Sequence, residues 1–206
     1  TAVYNALVEQ SPHMKNKACV IPNPIDTEIF RSQHVHDFSS EPMIVYTGRV
    51  HREKGLELLV KAVACLNESY HVKLRIIGAS EIEKGGSGKD YVEELNKLAY
   101  NFNIEWISPI YNPKELAATI REGNIFCYPS LAEKGETFGV SPLEGMGLGL
   151  VPIVSDLDCF KDFVNKQNGF VFERKSDSAV KQIMDCVAQL IESRKLYEQK
   201  SAKAIE

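Results

Sequence analysis

Several things are missing from this 206-residue sequence, and each absence removes a class of function. The five cysteines (Cys19, Cys65, Cys127, Cys159, Cys186) stand singly, with no Cys-x-x-Cys pair and no Cys/His cluster, which argues against structural zinc. Cys65, Cys127 and Cys186 fall within apolar patterns and read as buried thiols of a reducing compartment, so a cytoplasmic location is expected. There is no basic excess. A net charge of −4 leaves no electrostatic footprint for nucleic acid, and none is expected as a partner. No apolar run approaches the length of a bilayer span, and no secretory leader is expected in the stretch given. The chain does not start with Met and both ends are helix-like, so it reads as a piece of a longer protein.

Familiar catalytic signatures are absent as well. No Ser-His-Asp or Cys-His set occurs, and His51 and His71 have no evident partner. The run Gly85-Gly86-Ser87-Gly88-Lys89 fails as a phosphate loop: Asp90 stands where Ser or Thr must bind magnesium, and no Gly lies five positions before Gly88. A mobile surface loop is expected there. Gly145, Gly147 and Gly149 sit in and after a helical pattern, the wrong order for a dinucleotide fingerprint, and read as packing and capping glycines. His34-x-His36 has no third ligand, and Asp156 or Ser155 reads as a helix N-cap, so no metal site is expected.

What is present is an alternation of short apolar runs and amphipathic helices. Strands are expected at 18–21, 43–47, 72–78, 104–107, 125–128, 150–154 and 169–172. Helices are expected at 1–10, from Glu53 or Lys54 onward, at 91–100, 113–122, 141–147 and 155–165, from Asp177 or Ser178, and at 194–206. Asn112 caps the fourth of these with Pro113 at its first position. This is the pattern of an α/β protein: a Rossmann-like parallel sheet of about six strands with helices on both faces.

Residues 128–156 carry the densest chemistry. A buried strand stops at Pro129, a polar loop leads to Phe138-Gly139, and a small-residue helix and another strand follow. Glu136 and Glu144 bracket the loop-to-helix turn with seven residues between them. Gly139 allows close approach to the backbone where free N–H groups open the helix, and such an end attracts phosphate. Carboxylates on either side of an anion site suit a ligand with hydroxyls at both ends and phosphates between, which describes a nucleotide sugar. Upstream, Gly48-Arg49 ends a strand and Lys54 stands before a helix. Arg49 can fork onto two phosphate oxygens, and Lys54 adds a point charge. The plainer alternative is a charged surface turn with an ion pair at the helix end. A glycosidase acid/base pair at Glu136 and Glu144 would not need the cations.

Glu-x7-Glu enclosing Phe-Gly, followed by Glu-Gly-Met-x-x-Gly, resembles the retaining glycosyltransferases of family 4, of the GT-B fold. Matching pieces occur in order: I-P-N-P-I-D-T-E-I-F at 21–30, Y-T-G-R-V-H-R-E-K-G at 46–55 and L-R-I-I-G at 74–78. The resemblance implies one half of a GT-B enzyme, with 1–30 an entry segment from an absent amino-terminal domain, 31–192 the nucleotide-sugar-binding domain, and 193–206 a truncated helix. It implies that Arg49 and Lys54 grip the donor diphosphate and stabilise its departing charge, that Glu144 holds the ribose hydroxyls, and that Glu136 lies beside the sugar without acting as nucleophile. Backbone at Gly48, Phe138, Gly139 and Val140 lies near sugar and phosphates, and the turn at Ile110 contacts the base. No metal or other cofactor is implied. The partners are an NDP-sugar, the chain's own acceptor-binding domain and, through that domain, the membrane surface. The fragment alone transfers sugar poorly or not at all. The family often has Gly-Gly where Asp158-Cys159 stands here, a departure that bears on the donor sugar. A non-catalytic nucleotide-binding or protein-interaction module on the same fold is the alternative.

Overall fold

The computed structural model describes residues 2–33, 35, 37–38, 41–132 and 136–206. His34 and His36 lie outside them. Six parallel strands form a single sheet: β1 (Met43–Thr47), β2 (Lys73–Ile77), β3 (Ile104–Ile107), β4 (Ile125–Tyr128), β5 (Val151–Ser155) and β6 (Phe170–Phe172), in the order β3-β2-β1-β4-β5-β6. The central strands form because their residues are largely β-branched or aromatic and buried on both faces; all residues of β4 and β5 are buried, while the edge strands β3 and β6 each keep an exposed residue. Pro152 lies inside β5, where a missing N–H is normally costly. It is accommodated because Val151 donates toward β4, to the Asn124 carbonyl. Alternation therefore turns Pro152 toward β6, whose pairing begins only at Ile153.

The described residues hold seven α-helices, of which α2 to α5 connect successive strands: α1 (Ala2–Gln10), α2 (Leu56–Leu66), α3 (Gly88–Leu98), α4 (Pro113–Arg121), α5 (Val140–Gly147), α6 (Ala179–Glu192) and α7 (Arg194–Ile205). α2 packs against α3 and α6, while α5 packs against α4 and α7. Right-handed crossovers produce this division: the chain winds from β1 toward β3, then crosses to β4 and winds the other way. Asn112 caps α4 as expected, its side-chain oxygen accepting from Lys114 and Glu115 N–H. At Gly145 a Cβ would come within 2.4 Å of the Phe126 ring, so the small residue brings α5 close to β4. α7 is pinned to the sheet: Ser201 donates to the Gly149 carbonyl at 2.6 Å, and the buried Lys200 ammonium to the Lys166 and Gly169 carbonyls.

Three local expectations fail. Residues 18–21 form no strand; Val20 and Ile21 are 48% and 82% exposed, and the segment instead lines a groove of about 1010 Å³ with α1, Phe138 and Leu143. The helix expected at 155–165 is absent: Ser155 ends β5 and residues 156–165 form turns. Asp156 does not cap; it pairs with Arg174, just past the end of β6, while Phe160 packs on Tyr128 at the end of β4 and Phe163 on Phe138 in the loop that follows. Glu53 and Lys54 belong to a short 3-10 helix (Arg52–Lys54), and α2 opens only at Leu56. Among the described residues no helix is long and apolar enough to cross a membrane.

Candidate active site

In an open parallel sheet, ligands bind beyond the carboxyl ends of the strands where the winding direction reverses. Here that point lies between β1 and β4. The loop after β1 (residues 48–55) is shaped by its own strand: the Tyr46 hydroxyl donates to the Arg49 carbonyl at 2.9 Å. It is also tied to the loop after β4, since Leu131 N–H donates to the Glu53 carbonyl at 2.8 Å. Gly55 turns the chain through the left-handed region (φ 65°), and any Cβ there would meet the Pro129 carbonyl oxygen at 2.3 Å.

These constraints bury Lys54 against Glu136. The Lys54 ammonium lies 2.6 Å from Glu136 Oε2, and each side chain is only 10% exposed. The same oxygen accepts from Ser130 Oγ at 3.1 Å and from the Tyr128 hydroxyl at 3.3 Å. A buried ion pair survives desolvation only when further hydrogen bonds satisfy it, and these two donors do that. Beneath the pair lies an aromatic floor. Tyr46 stacks on Tyr128 at 5.5 Å, and Phe160 meets Tyr128 edge-on at 5.8 Å. Burial, then the neighbouring Glu136 charge, push the Tyr128 hydroxyl's pKa up, so it stays a donor.

Phe160 also occupies the space a side chain at Gly139 would need, 2.4 Å from a Cβ, and Gly139 enters α5 at φ 80°. Val140 is the first residue of α5, and Glu144 follows in its second turn, half-buried, where burial raises its pKa from an ordinary 4.5 to about 7. Gly139 thus fixes where α5 begins and where Glu144 stands.

Arg49 is disposed differently. Its side chain is 49% exposed; Nη2 donates to Glu53 Oε1 at 2.7 Å and Nη1 to the Gly85 carbonyl at 3.1 Å. The plain reading of a charged turn with an ion pair fits Arg49–Glu53 but not the buried Lys54. The glycine run, expected as a mobile surface loop, is part of this construction. Ser87 N–H donates to the Val50 carbonyl at 2.9 Å, and Arg52 N–H to Ser87 Oγ at 3.1 Å. His51 has a partner too: its Nδ1 accepts from Glu53 N–H at 3.3 Å.

Gly48, Arg49, Lys54, Glu136, Phe138 and Gly139 therefore belong to the two loops at the winding reversal, and Val140 opens the helix that follows the second. No described contact joins Glu144 to the Lys54–Glu136 pair, nor Ile110 to either. Ile110 follows β3, two strands from β1 or about 10 Å at ordinary strand spacing. The sequence assigns no site role to Ser130 or Tyr128, reads Glu53 only as a possible helix start and Gly85 only as part of a surface loop; Ser130 is legible only as a small polar residue beside the proline that ends β4. Among the described residues no group of three or more His, Cys, Asp or Glu side chains is placed to hold a metal ion.

Residues 27–206 match the family described as glycosyl transferases group 1. The chain belongs to that family. It is 30% identical over 175 residues to a glycogen synthase of Caldicellulosiruptor bescii, covering 83% of this chain and 34% of that protein. Its fold is shared with the carboxyl-terminal domain of a group 1 glycosyl transferase of Francisella tularensis (TM-score 0.71, 21% identity, 88% of this chain and 95% of that one). It is also shared with Anabaena HepE, solved in complex with UDP and glucose (TM-score 0.72, 17% identity, 91% of this chain and 50% of that one). The group 1 domain described here is thus one half of a GT-B fold, and it spans about a third of the length of the curated relatives it matches.

Proposed function

We propose that this group 1 domain binds the donor nucleotide sugar of a retaining, family 4 glycosyltransferase that passes a glycosyl group to a saccharide or lipid-linked acceptor in polysaccharide, glycolipid or glycoconjugate synthesis. The observation that carries the reading is the buried Lys54–Glu136 pair beside Arg49 at the winding reversal of a glycosyl transferase domain. Such a lysine is held where a diphosphate would lie, while Glu136 faces the same point and is oriented by Ser130 and Tyr128.

In the proposed mechanism Arg49 and Lys54 take up the negative charge that grows on the departing diphosphate, the form of preorganised stabilisation that lowers a barrier most. Backbone N–H groups at the start of α5, after Phe138-Gly139, add donors with no reorganisation. The two cations supply the neutralisation otherwise given by a divalent ion, so transfer is metal-independent. Glu144 accepts from the ribose hydroxyls, Gly48 lets the phosphates approach its backbone, and the Ile110 turn meets the base. Glu136 fixes the sugar while the acceptor attacks the face the diphosphate leaves. The acceptor side comes from an amino-terminal domain of the same protein, through which the enzyme meets the cytoplasmic face of the membrane. A non-catalytic module would be free to lose any of Arg49, Lys54, Glu136 and Glu144, yet all four are present.

Calorimetric titration with UDP, GDP and ADP, with and without magnesium, tests the reading. One nucleotide should bind without metal, and binding should be lost in Lys54→Ala and in Glu144→Ala. Failure of all three nucleotides to bind removes the donor role from this chain.

A further inference from the structure

Both cations at the winding reversal are matched to carboxylates of the chain itself. Lys54 is engaged by Glu136 at 2.6 Å and Arg49 by Glu53 at 2.7 Å. The second arm of the Arg49 fork donates to the Gly85 carbonyl, so both terminal nitrogens of the guanidinium have partners. Glu53 is held there by its backbone: its N–H donates to His51 Nδ1, and its carbonyl accepts from Leu131 on the opposite loop. The sequence reading gave Glu53 no role beyond a possible first helix residue.

We propose that Glu53 is an internal counter-anion of Arg49, which a phosphate ligand must displace, and that it thereby sets how strongly this site takes up diphosphates. The inference deepens the reading of the site as a phosphate-binding crevice and rests on it. A phosphoryl group arriving at Arg49 gains only the difference between its own interaction and that of the carboxylate it replaces. A diphosphate can displace Glu53 from Arg49 and Glu136 from Lys54 together, whereas a single phosphoryl group leaves one pair standing. The Arg49–Glu53 pair is half-exposed, with side chains 49% and 36% accessible, so its removal has a modest effect.

The sign of that effect is diagnostic. A residue that merely orients Arg49 weakens anion binding when it is neutralised; a competing counter-anion strengthens it. The test is calorimetric titration of the chain with inorganic pyrophosphate, in wild type, Glu53→Gln and Glu94→Gln. Glu94 supplies the control, since it makes a similar 2.7 Å exposed pair with Arg52 and changes the net charge equally. Pyrophosphate should bind roughly two- to fivefold tighter to Glu53→Gln than to wild type, with no comparable gain in Glu94→Gln. Equal or weaker binding by Glu53→Gln, the same gain in both variants, or no measurable binding by any of the proteins overturns the proposal. The donor reading fails separately, if pyrophosphate behaves as stated but none of UDP, GDP and ADP binds more tightly than pyrophosphate itself.

Discussion

Glu136 and Glu144 are carboxylates on either side of the start of α5, yet their surroundings give them opposite roles in stability. Glu136 is neutralised by Lys54 and two hydroxyl donors. Removing it strands a buried ammonium, which typically costs 3–5 kcal/mol. Glu136→Ala should therefore lower Tm by roughly 10 °C in a domain of this size, whereas Ser130→Ala, deleting one neutral donor, should lower it by about 3 °C; differential scanning calorimetry measures both. Glu144 has burial without such support, and its folded pKa of about 7 stands above the ordinary 4.5. Between those values the folded chain keeps a proton that the unfolded chain has released, so this group's contribution to stability falls as pH rises from 4.5 to 7 and is constant above. Glu144→Gln lacks the loss. Its Tm relative to wild type should be higher at pH 8 than at pH 4.5, by less than the full shift implies because water reaches the half-buried carboxyl. An unchanged difference between the two pH values would show that Glu144 ionises without penalty.

At the scale of elements, two turns decide the site, and both depend on a residue without a side chain. Gly55 and Gly139 each have positive φ, but their neighbours differ in kind: a backbone carbonyl for Gly55, the edge of the Phe160 ring for Gly139. Alanine at either position is strained by about 1–2 kcal/mol from the left-handed backbone alone. Trimming the ring should relieve the remainder at one site only. Gly139→Ala should regain part of its lost Tm when combined with Phe160→Leu, after allowing for the cost of Phe160→Leu alone, while Gly55→Ala gains nothing from that change. Thermal melts of the single and double variants check this, and equal rescue of both would mean that the turns are coupled through the aromatic floor.

At the scale of the whole molecule, the site is a product of chain topology. Lys54 and Glu136 lie 82 residues apart, and they meet because the chain crosses from β3 to the far side of β1 before laying down β4. A ligand that bridges the loops after β1 and β4 therefore stabilises the fold as a unit. The nucleotide that binds should raise Tm by about 5–10 °C at a hundredfold excess over its Kd, as differential scanning fluorimetry will show. The chain should bind donor without turning it over. Appearance of transferred sugar in a radiolabelled assay of the isolated chain would contradict the assignment of the acceptor side to another domain.

Much of this was legible in the residues. Strands 104–107 and 125–128 were read with their observed bounds, and the Asn112 cap and the packing glycines of α5 were as expected, because local burial imposes period and composition on each segment. Arg49, Lys54, Glu136 and Glu144 could be nominated because charged residues next to glycine and helix starts are chemically conspicuous. The turns at 155–165 were misread because Phe160 and Phe163 have a helical spacing but serve a partner loop that the local pattern does not contain. The same holds for Ser130, Tyr128, Glu53 and the Gly85 loop, whose importance lies in which atoms they reach. Sequence alone determined the class of fold and nominated the residues that the proposed function assigns to a diphosphate. The tertiary structure decided which carboxylate holds which cation, since that pairing follows from the order of strands in the sheet.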